Sequence, residues 1–209
     1  MKIGICLTGV SHEDGIRVPH GYYRKVNFDC CPLNIIEKII NPLKRDNEVD
    51  VYLTTYNHEY ILDLFDKYSP KKYQLIPYSN STMQKTYAQS LQQLNGENLD
   101  FVISTRFDIL FNKSINDICL DYNKMNVLFN EDGWDHLHYT CDNFFAFPFK
   151  FLNLFIQSIH EFEKIDRNGL HGTFNHFSNK IGKENTKIID DIPGNGRKNS
   201  YYYLPCVIR

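Results

Sequence analysis

The sequence predicts a mixed α/β domain, with a mostly parallel central sheet flanked by helices in three layers. Three observations predict it. Apolar, β-rich runs alternate along the chain with segments of helical periodicity. The opening reads strand, loop, helix, strand, the order of a right-handed crossover that joins two parallel strands. The run FVISTRFDILF, residues 101 to 111, is apolar on both faces, as in a strand covered on both sides.

Each element carries its own signal. IGICLT, residues 3 to 8, is a short strand ended by Gly9, and a loop rich in Gly, Ser, Asp and His runs on to about Gly21. After Pro32, Leu33, Ile36, Ile39, Ile40 and Leu43 recur at helical spacing, with an end expected near Pro42. VDVYLTTY (49 to 56) is the second strand, YILDLFDKY a helix stopped by Pro70, and YQLIPY (73 to 78) the third strand. Ser81 or Thr82 can cap the helix TMQKTYAQSLQQL, which Asn95-Gly96 ends. FVISTRFDILF follows as one strand, then MNVLFN (125 to 130), NFFAFP (143 to 148) and the amphipathic helix FLNLFIQSIHEFEKI. From Asp166 the chain is rich in Asn, Gly and His before a closing aromatic strand, YYYLPCVIR. This C-terminal half is expected to add antiparallel strands at one side of the sheet.

The totals bound the answer. A chain of 209 residues supports one substantial core rather than two, and without repeat or linker it reads as a single domain, 1–209. With 42% apolar residues, including 15 Phe and 14 Tyr, ordinary burial can drive folding without staples. The 23 basic residues are scattered among 25 acidic ones, which argues against a nucleic-acid surface. No apolar run approaches the roughly 20 residues of a membrane span. MKIGICLTGV is too short for a signal peptide and reads as the first strand. Six cysteines occur with no CxxC spacing, and Cys6, Cys119 and Cys206 sit in apolar surroundings, as buried thiols do. A reducing, cytoplasmic location is expected.

The candidate site lies at strand ends. Alternation along 101 to 111 puts Arg106 and Asp108 on one face, roughly 6.5 Å apart along the strand. Charges near the end of a buried strand have to be paired, hydrated or ligand-bound. In open α/β sheets, ligands collect outside the C-terminal strand ends. A structural Arg–Asp pair is the competing reading. Thr8 and Gly9 end the first strand, where glycine lets a ligand approach the backbone, although turn chemistry alone also explains it. Thr54, Thr55 and Tyr56 end the second, where Tyr56 can stack on a nucleobase. Arg17 and Arg24 can hold phosphates or simply be solvated. Residues 130 to 148 gather Glu131, Asp132, Asp135, His136, His138 and Asp142 around Trp134, a possible platform for a sugar ring. Asp142, immediately before an apolar strand, is the favoured functional acid. His171 and His176, five residues apart, do not share a helical face as metal ligands would and read as structural.

These features together resemble the GT-A glycosyltransferases: a first strand ending in a Gly-containing loop, the VDVYLTTY strand, and an apolar strand ending in an acid. Closer still is the resemblance to small glycosyltransferase-like proteins of large DNA viruses and bacterial polysaccharide clusters. In those an Arg-x-Asp ends a strand and an Asp-x-Phe-Phe follows, here Arg106-Phe107-Asp108 and Asp142-Asn143-Phe144-Phe145. The resemblance covers most of residues 1 to 165. It implies a GT-A-like fold in which 1–111 binds a nucleoside-diphosphate sugar and 112–209 faces a glycan acceptor, in the host cytoplasm if the protein is viral. It also implies donor binding by Thr8, Gly9, Arg17, Tyr56, Arg106 and Asp108, with Mn²⁺ or Mg²⁺ held by Asp108, and Asp142 as the base for the acceptor hydroxyl.

Arg106 stands where the family's Asp-x-Asp has its first acid. A guanidinium suits contact with a diphosphate, while a water-rich Mg²⁺ shell on Asp108 is the alternative. Two other classes compete. Nucleotidyltransferases also use strand-end acids and a metal, and LTGVSHEDGIR partly matches their first loop. A non-catalytic nucleotide- or glycan-binding module can keep the fold without the Asp-x-Asp. The first turn lacks GxGxxG, which argues against an NAD-linked enzyme.

Overall fold

A computed structural model describes residues 1–9, 13–14, 25–26, 30–77, 82–129, 140–165, 170–190 and 202–203. The chain opens with β1 (Lys2–Gly9) and a short antiparallel pair, β2 (Glu13–Asp14) and β3 (Lys25–Val26). A helical segment follows as α1 (Cys30–Ile35), a π-helical turn (Ile36–Ile40) and α2 (Asn41–Lys44). It runs past Pro42, where an end was expected. The π turn explains this, because Asn41 N–H reaches back to Ile36 O and Pro42 then opens a new turn. There its missing N–H costs least.

β4 (Glu48–Tyr56), α3 (Ile61–Tyr68), β5 (Lys72–Ile76), α4 (Met83–Gln92) and β6 (Phe101–Arg106) continue the alternation. Thr82 caps α4 as the sequence suggests, its side chain accepting from Lys85 N–H at 3.1 Å. Then come β7 (Leu110–Phe111), β8 (Met125–Phe129), β9 (Phe144–Pro148), α5 (Leu152–Ile165), α6 (Thr173–Ile181), β10 (Thr186–Asp190) and β11 (Tyr202–Tyr203). The sequence reading did not foresee α6 and β10. Of the closing YYYLPCVIR strand, only Tyr202–Tyr203 lies within the described residues, paired antiparallel to β7.

Seven strands form one sheet in the order β10-β8-β9-β6-β1-β4-β5. All pairings are parallel except those of β9, which runs against both β6 and β8. The C-terminal half thus adds its strands at one side of the sheet, as expected, with the antiparallel β9 lying between β6 and β8. The chain builds outward through β4 and β5, then returns to lay β6 on the other side of β1. That reversal is a topological switch point, the place where an open α/β sheet leaves a crevice beyond its C-terminal strand ends.

Each face of the sheet has its own core, which makes the three layers. Ile3, Ile5, Leu7, Leu53 and Ile103 meet Ile35, Ile39, Leu43 and Leu64 on one side. Cys6, Val102, Phe145 and Phe147 meet Tyr87, Leu91, Phe155, Ile159 and Phe177 on the other. Phe155 packs among Phe145, Phe147 and Phe177 with ring centroids 5.1, 5.2 and 5.3 Å away. Such pairs add about 0.5–1.5 kcal/mol each beyond burial. Cys6 is buried as expected, and burial pushes its thiol up to about 12. Cys119 is exposed, against expectation, because the neighbouring Ile118 takes the buried place in the core.

A buried amide ties β8 to its surroundings. Asn126 Nδ2 donates to Asp121 O at 2.8 Å, Lys124 O at 2.7 Å and Ala146 O at 3.0 Å, and its Oδ1 accepts from Asp121 N–H at 2.8 Å. Replacing Asn126 by Leu keeps the branched shape but leaves these backbone groups without partners. Asn126→Leu is expected to lower unfolding free energy by about 1–3 kcal/mol, read as a lower urea midpoint at unchanged slope.

Candidate functional site

The register places the sequence-predicted residues along one edge of the sheet. Thr8 lies opposite Thr54 on one side and Arg106 on the other, and Gly9 lies opposite Thr55. Gly9 has φ +98°, a conformation that favours glycine, and a Cβ there would meet no atom within 4 Å. Thr55 Oγ1 donates to Gly9 O at 2.9 Å, which holds the end of β1 against β4. Tyr56 ends β4, half-buried, two strands from Arg106. Because β9 runs antiparallel, its N-terminal end brings Asp142 and Asn143 to the same edge.

Residues 101 to 111 are not one strand. β6 ends at Arg106, Phe107 and Asp108 form a turn, and β7 begins at Leu110. Phe107 N–H donates to Thr8 O at 3.3 Å, and the Phe107 ring enters the core edge-on to Tyr68 at 6.1 Å. Asp108 therefore folds back onto Arg106 instead of standing beside it along a strand. Arg106 Nε donates to Asp108 Oδ1 at 2.7 Å, its Nη2 donates to Oδ2, and its Nη1 donates to Asn143 Oδ1 at 2.9 Å. The bidentate ion pair that competed with the ligand reading is present.

Both partners are enclosed, with the Arg106 side chain 14% exposed and Asp108 5%. Burial works against the guanidinium charge. The charge and hydrogen bonds of Asp108, with a contribution from Asp142, outweigh it and hold the Arg106 pKa above its ordinary value. Arg106 is thus a fixed cation whose fork is already aimed.

Asp142 is 4% exposed, and its Oδ2 lies 3.4 Å from His171 Nε2. His171 Nδ1 faces Thr140 O at 3.3 Å, and Thr140 N–H donates to His171 O at 3.0 Å, so the ring is held from both ends. His171 thus stands beside Asp142. His176 pairs with Glu161 of α5 at 2.8 Å.

Tyr87 of α4 is 1% exposed, and its hydroxyl has no hydrogen-bond partner among the described residues. Burial first, and then the negative charge of Asp142, raises its phenol well above the ordinary value, so it remains a donor. Sequence reasoning missed Tyr87, because helical spacing marks it only as a core position beside Ala88 and Leu91. Asn143 was visible inside the Asp-x-Phe-Phe segment, but its bond to Arg106 was not. Arg17, Arg24, Glu131, Asp132, Trp134, Asp135, His136 and His138 lie outside the described residues.

The arrangement does not fit a divalent ion on Asp108. Both carboxylate oxygens already accept from a guanidinium, whose positive charge would repel the ion. Among the described residues no group of three His, Cys, Asp or Glu side chains is placed to hold a metal.

Removing one member of the buried pair strands the other. Arg106→Met is expected to cost about 3–5 kcal/mol by leaving Asp108 uncompensated, and adding Asp108→Leu should recover most of it. A double-mutant cycle of denaturant unfolding checks this, and an additive cycle would refute it.

No family model and no curated protein matches the chain. Among solved structures, it is similar to 4-diphosphocytidyl-2C-methyl-D-erythritol synthase from Anaerococcus prevotii DSM 20548. The two are 14% identical, with 90% of this chain and 86% of that one covered and a TM-score of 0.54. This likeness is one of fold: a mixed, mostly parallel α/β sheet flanked by helices. No helix among the described residues is long and apolar enough to cross a membrane.

Proposed function

We propose that this chain is a nucleotide-dependent transferase that moves a sugar from a nucleoside-diphosphate donor to a hydroxyl of a glycan acceptor. The observation that carries the reading is the convergence of Thr8, Gly9, Arg106, Asp108 and Asp142 on the C-terminal edge where the strand order reverses. A body of apolar residues that turns polar and charged at one edge is the arrangement of a ligand crevice.

In this reading residues 1–111 bind the donor. Thr8 and the open backbone at Gly9 receive the nucleoside, together with Tyr56. Arg106, held rigid by Asp108 and Asn143, supplies positive charge beside the leaving diphosphate, a part otherwise taken by a metal. Residues 112–209 face the acceptor. Asp142 takes the proton from the acceptor hydroxyl, whose oxygen bonds to the anomeric carbon. The bond from that carbon to the diphosphate oxygen breaks, and the nucleoside diphosphate leaves with the electron pair. His171 beside Asp142 can receive the proton.

A second reading, nucleotidyl transfer, is favoured by the fold likeness to a protein whose name gives a diphosphocytidyl-linked product. Both readings place a nucleotide at the same edge. A nucleoside triphosphate that binds and releases pyrophosphate in the presence of a sugar phosphate or polyol phosphate would select the second.

Thermal-shift measurements with UDP, GDP, CDP and dTDP test the shared core of these readings. A bound nucleotide at a hundredfold excess over its Kd should add about 2.7 kcal/mol of stability. Silence to all four removes the main support. The shift is expected to be equal in Mn²⁺ and in EDTA, because Arg106 occupies Asp108. A shift that needs Mn²⁺ and disappears in Asp108→Asn would return the metal to that residue. For catalysis, Asp142→Asn should keep nucleotide binding while turnover falls about 10²–10⁴-fold. Near-normal product formation would take the base role from Asp142.

A further inference from the structure

The most unusual group near the site is the Tyr87 hydroxyl, buried and without a partner among the described residues. Native proteins leave few buried polar groups unpaired, and each one calls for an absent water or ligand or for a functional reason. A phenylalanine would fill the same place against Phe145, whose ring lies edge-on at 5.8 Å, without burying a polar atom. Phe145 stands opposite Ser104 in the register and two residues after Asn143, so the Tyr87 ring packed against it lies beside the strand ends of the site, where Asp142 and Arg106 are the leading charges acting on the phenol. Thr8 Oγ1 and Ser104 Oγ are also buried without partners among the described residues. Both belong to the sheet face that carries Cys6 and Val102, the face on which Tyr87 packs.

The chemistry of these groups narrows what they can hold. A carboxylate only accepts hydrogen bonds, whereas a protonated phenol buried beside it donates. A donor and an acceptor converging on one point match a hydroxyl group, which does both. A phosphate oxygen only accepts, and Asp142 would repel it. Arg106, the cation of the cluster, already has three N–H groups committed to Asp108 and Asn143.

We propose that Tyr87 is a further substrate-binding residue of this site, its hydroxyl and the Asp142 carboxylate together holding one hydroxyl of a bound sugar. The assignment rests on the nucleotide-sugar reading and names the part of that substrate which reaches the inner wall of the crevice. The phosphates lie away from this point, beside the Arg106 charge. Tyr87 thereby discriminates sugar-bearing nucleotides from the bare diphosphates, at a hydroxyl that packing alone does not need.

The test compares the full-length wild type with Tyr87→Phe, and with Tyr87→Met as a second variant that keeps the apolar volume. Each is titrated with UDP-glucose, UDP-galactose, GDP-mannose and dTDP-glucose, and in parallel with UDP, GDP and dTDP, with binding read by calorimetry. Tyr87→Phe should melt at or above the wild-type temperature, since it removes an unpaired buried hydroxyl. Its affinity for the sugar nucleotide that binds wild type should fall about tenfold, while affinity for the parent diphosphate stays within about twofold. Unchanged affinity for the sugar nucleotide in both variants would overturn the assignment and leave an ordered water as the hydroxyl's partner. Equal losses for sugar nucleotide and diphosphate would overturn it in favour of a purely structural role. Wild type that binds none of the seven compounds would overturn the nucleotide reading itself, an outcome visible before any variant is made.

Discussion

A guanidinium enclosed at the end of a central strand has to be met by opposite charge and by acceptors, or the strand cannot be covered. Arg106 meets this demand with two other pieces of chain. Asp108 comes from the turn just beyond β6 and Asn143 from the start of β9, while Thr8 lies alongside on β1. The turn that brings Asp108 back ends β6 and sends Phe107 into the core. β9 in turn runs antiparallel between β6 and β8 and carries Asn143 and Asp142 to the edge as it does so. Satisfying one buried charge thus couples the end of β6, the course of the following chain and the composition of the site.

The same edge shows how an apolar sheet becomes chemically useful without losing its core. Ile3, Ile5, Leu7 and Ile103 keep one face packed to the strand ends. On the other face the apolar run gives way to Ser104, Thr8, Arg106 and Tyr87. Much of the hydrogen-bonding capacity there is committed within the protein, through the Arg106–Asp108–Asn143 set and the His171–Thr140 pair. Among the described residues, the hydroxyls of Thr8, Ser104 and Tyr87 have no hydrogen-bond partner.

Much of the fold was legible because period and punctuation agreed. β1, β4 and α4 combine apolar patterning with a local stop or cap, and Thr82 does what its position suggests. FVISTRFDILF misled because Phe107 is buried whether the chain continues straight or turns, so composition cannot separate the two. α6 and β10 were hidden in a polar stretch in which Phe174 and Phe177 carry most of the burial. The interior place of β9 depends on pairings between distant segments, which no local pattern encodes. For the site, charges at strand ends were enough to single out Thr8, Arg106, Asp108 and Asp142. Tyr87 and His171 were not, since a missing partner or a nearby carboxylate is a property of the assembled structure.

The antiparallel placement of β9 also bears on how the chain is made. β1, β4, β5 and β6 arise early and can pair in the order in which they are synthesised, with helices laid down between them. The free edge of β6, however, waits for Phe144–Pro148, and β8 emerges before the strand that joins it to the rest. Until then a flat, apolar strand edge is open to pairing with another nascent chain.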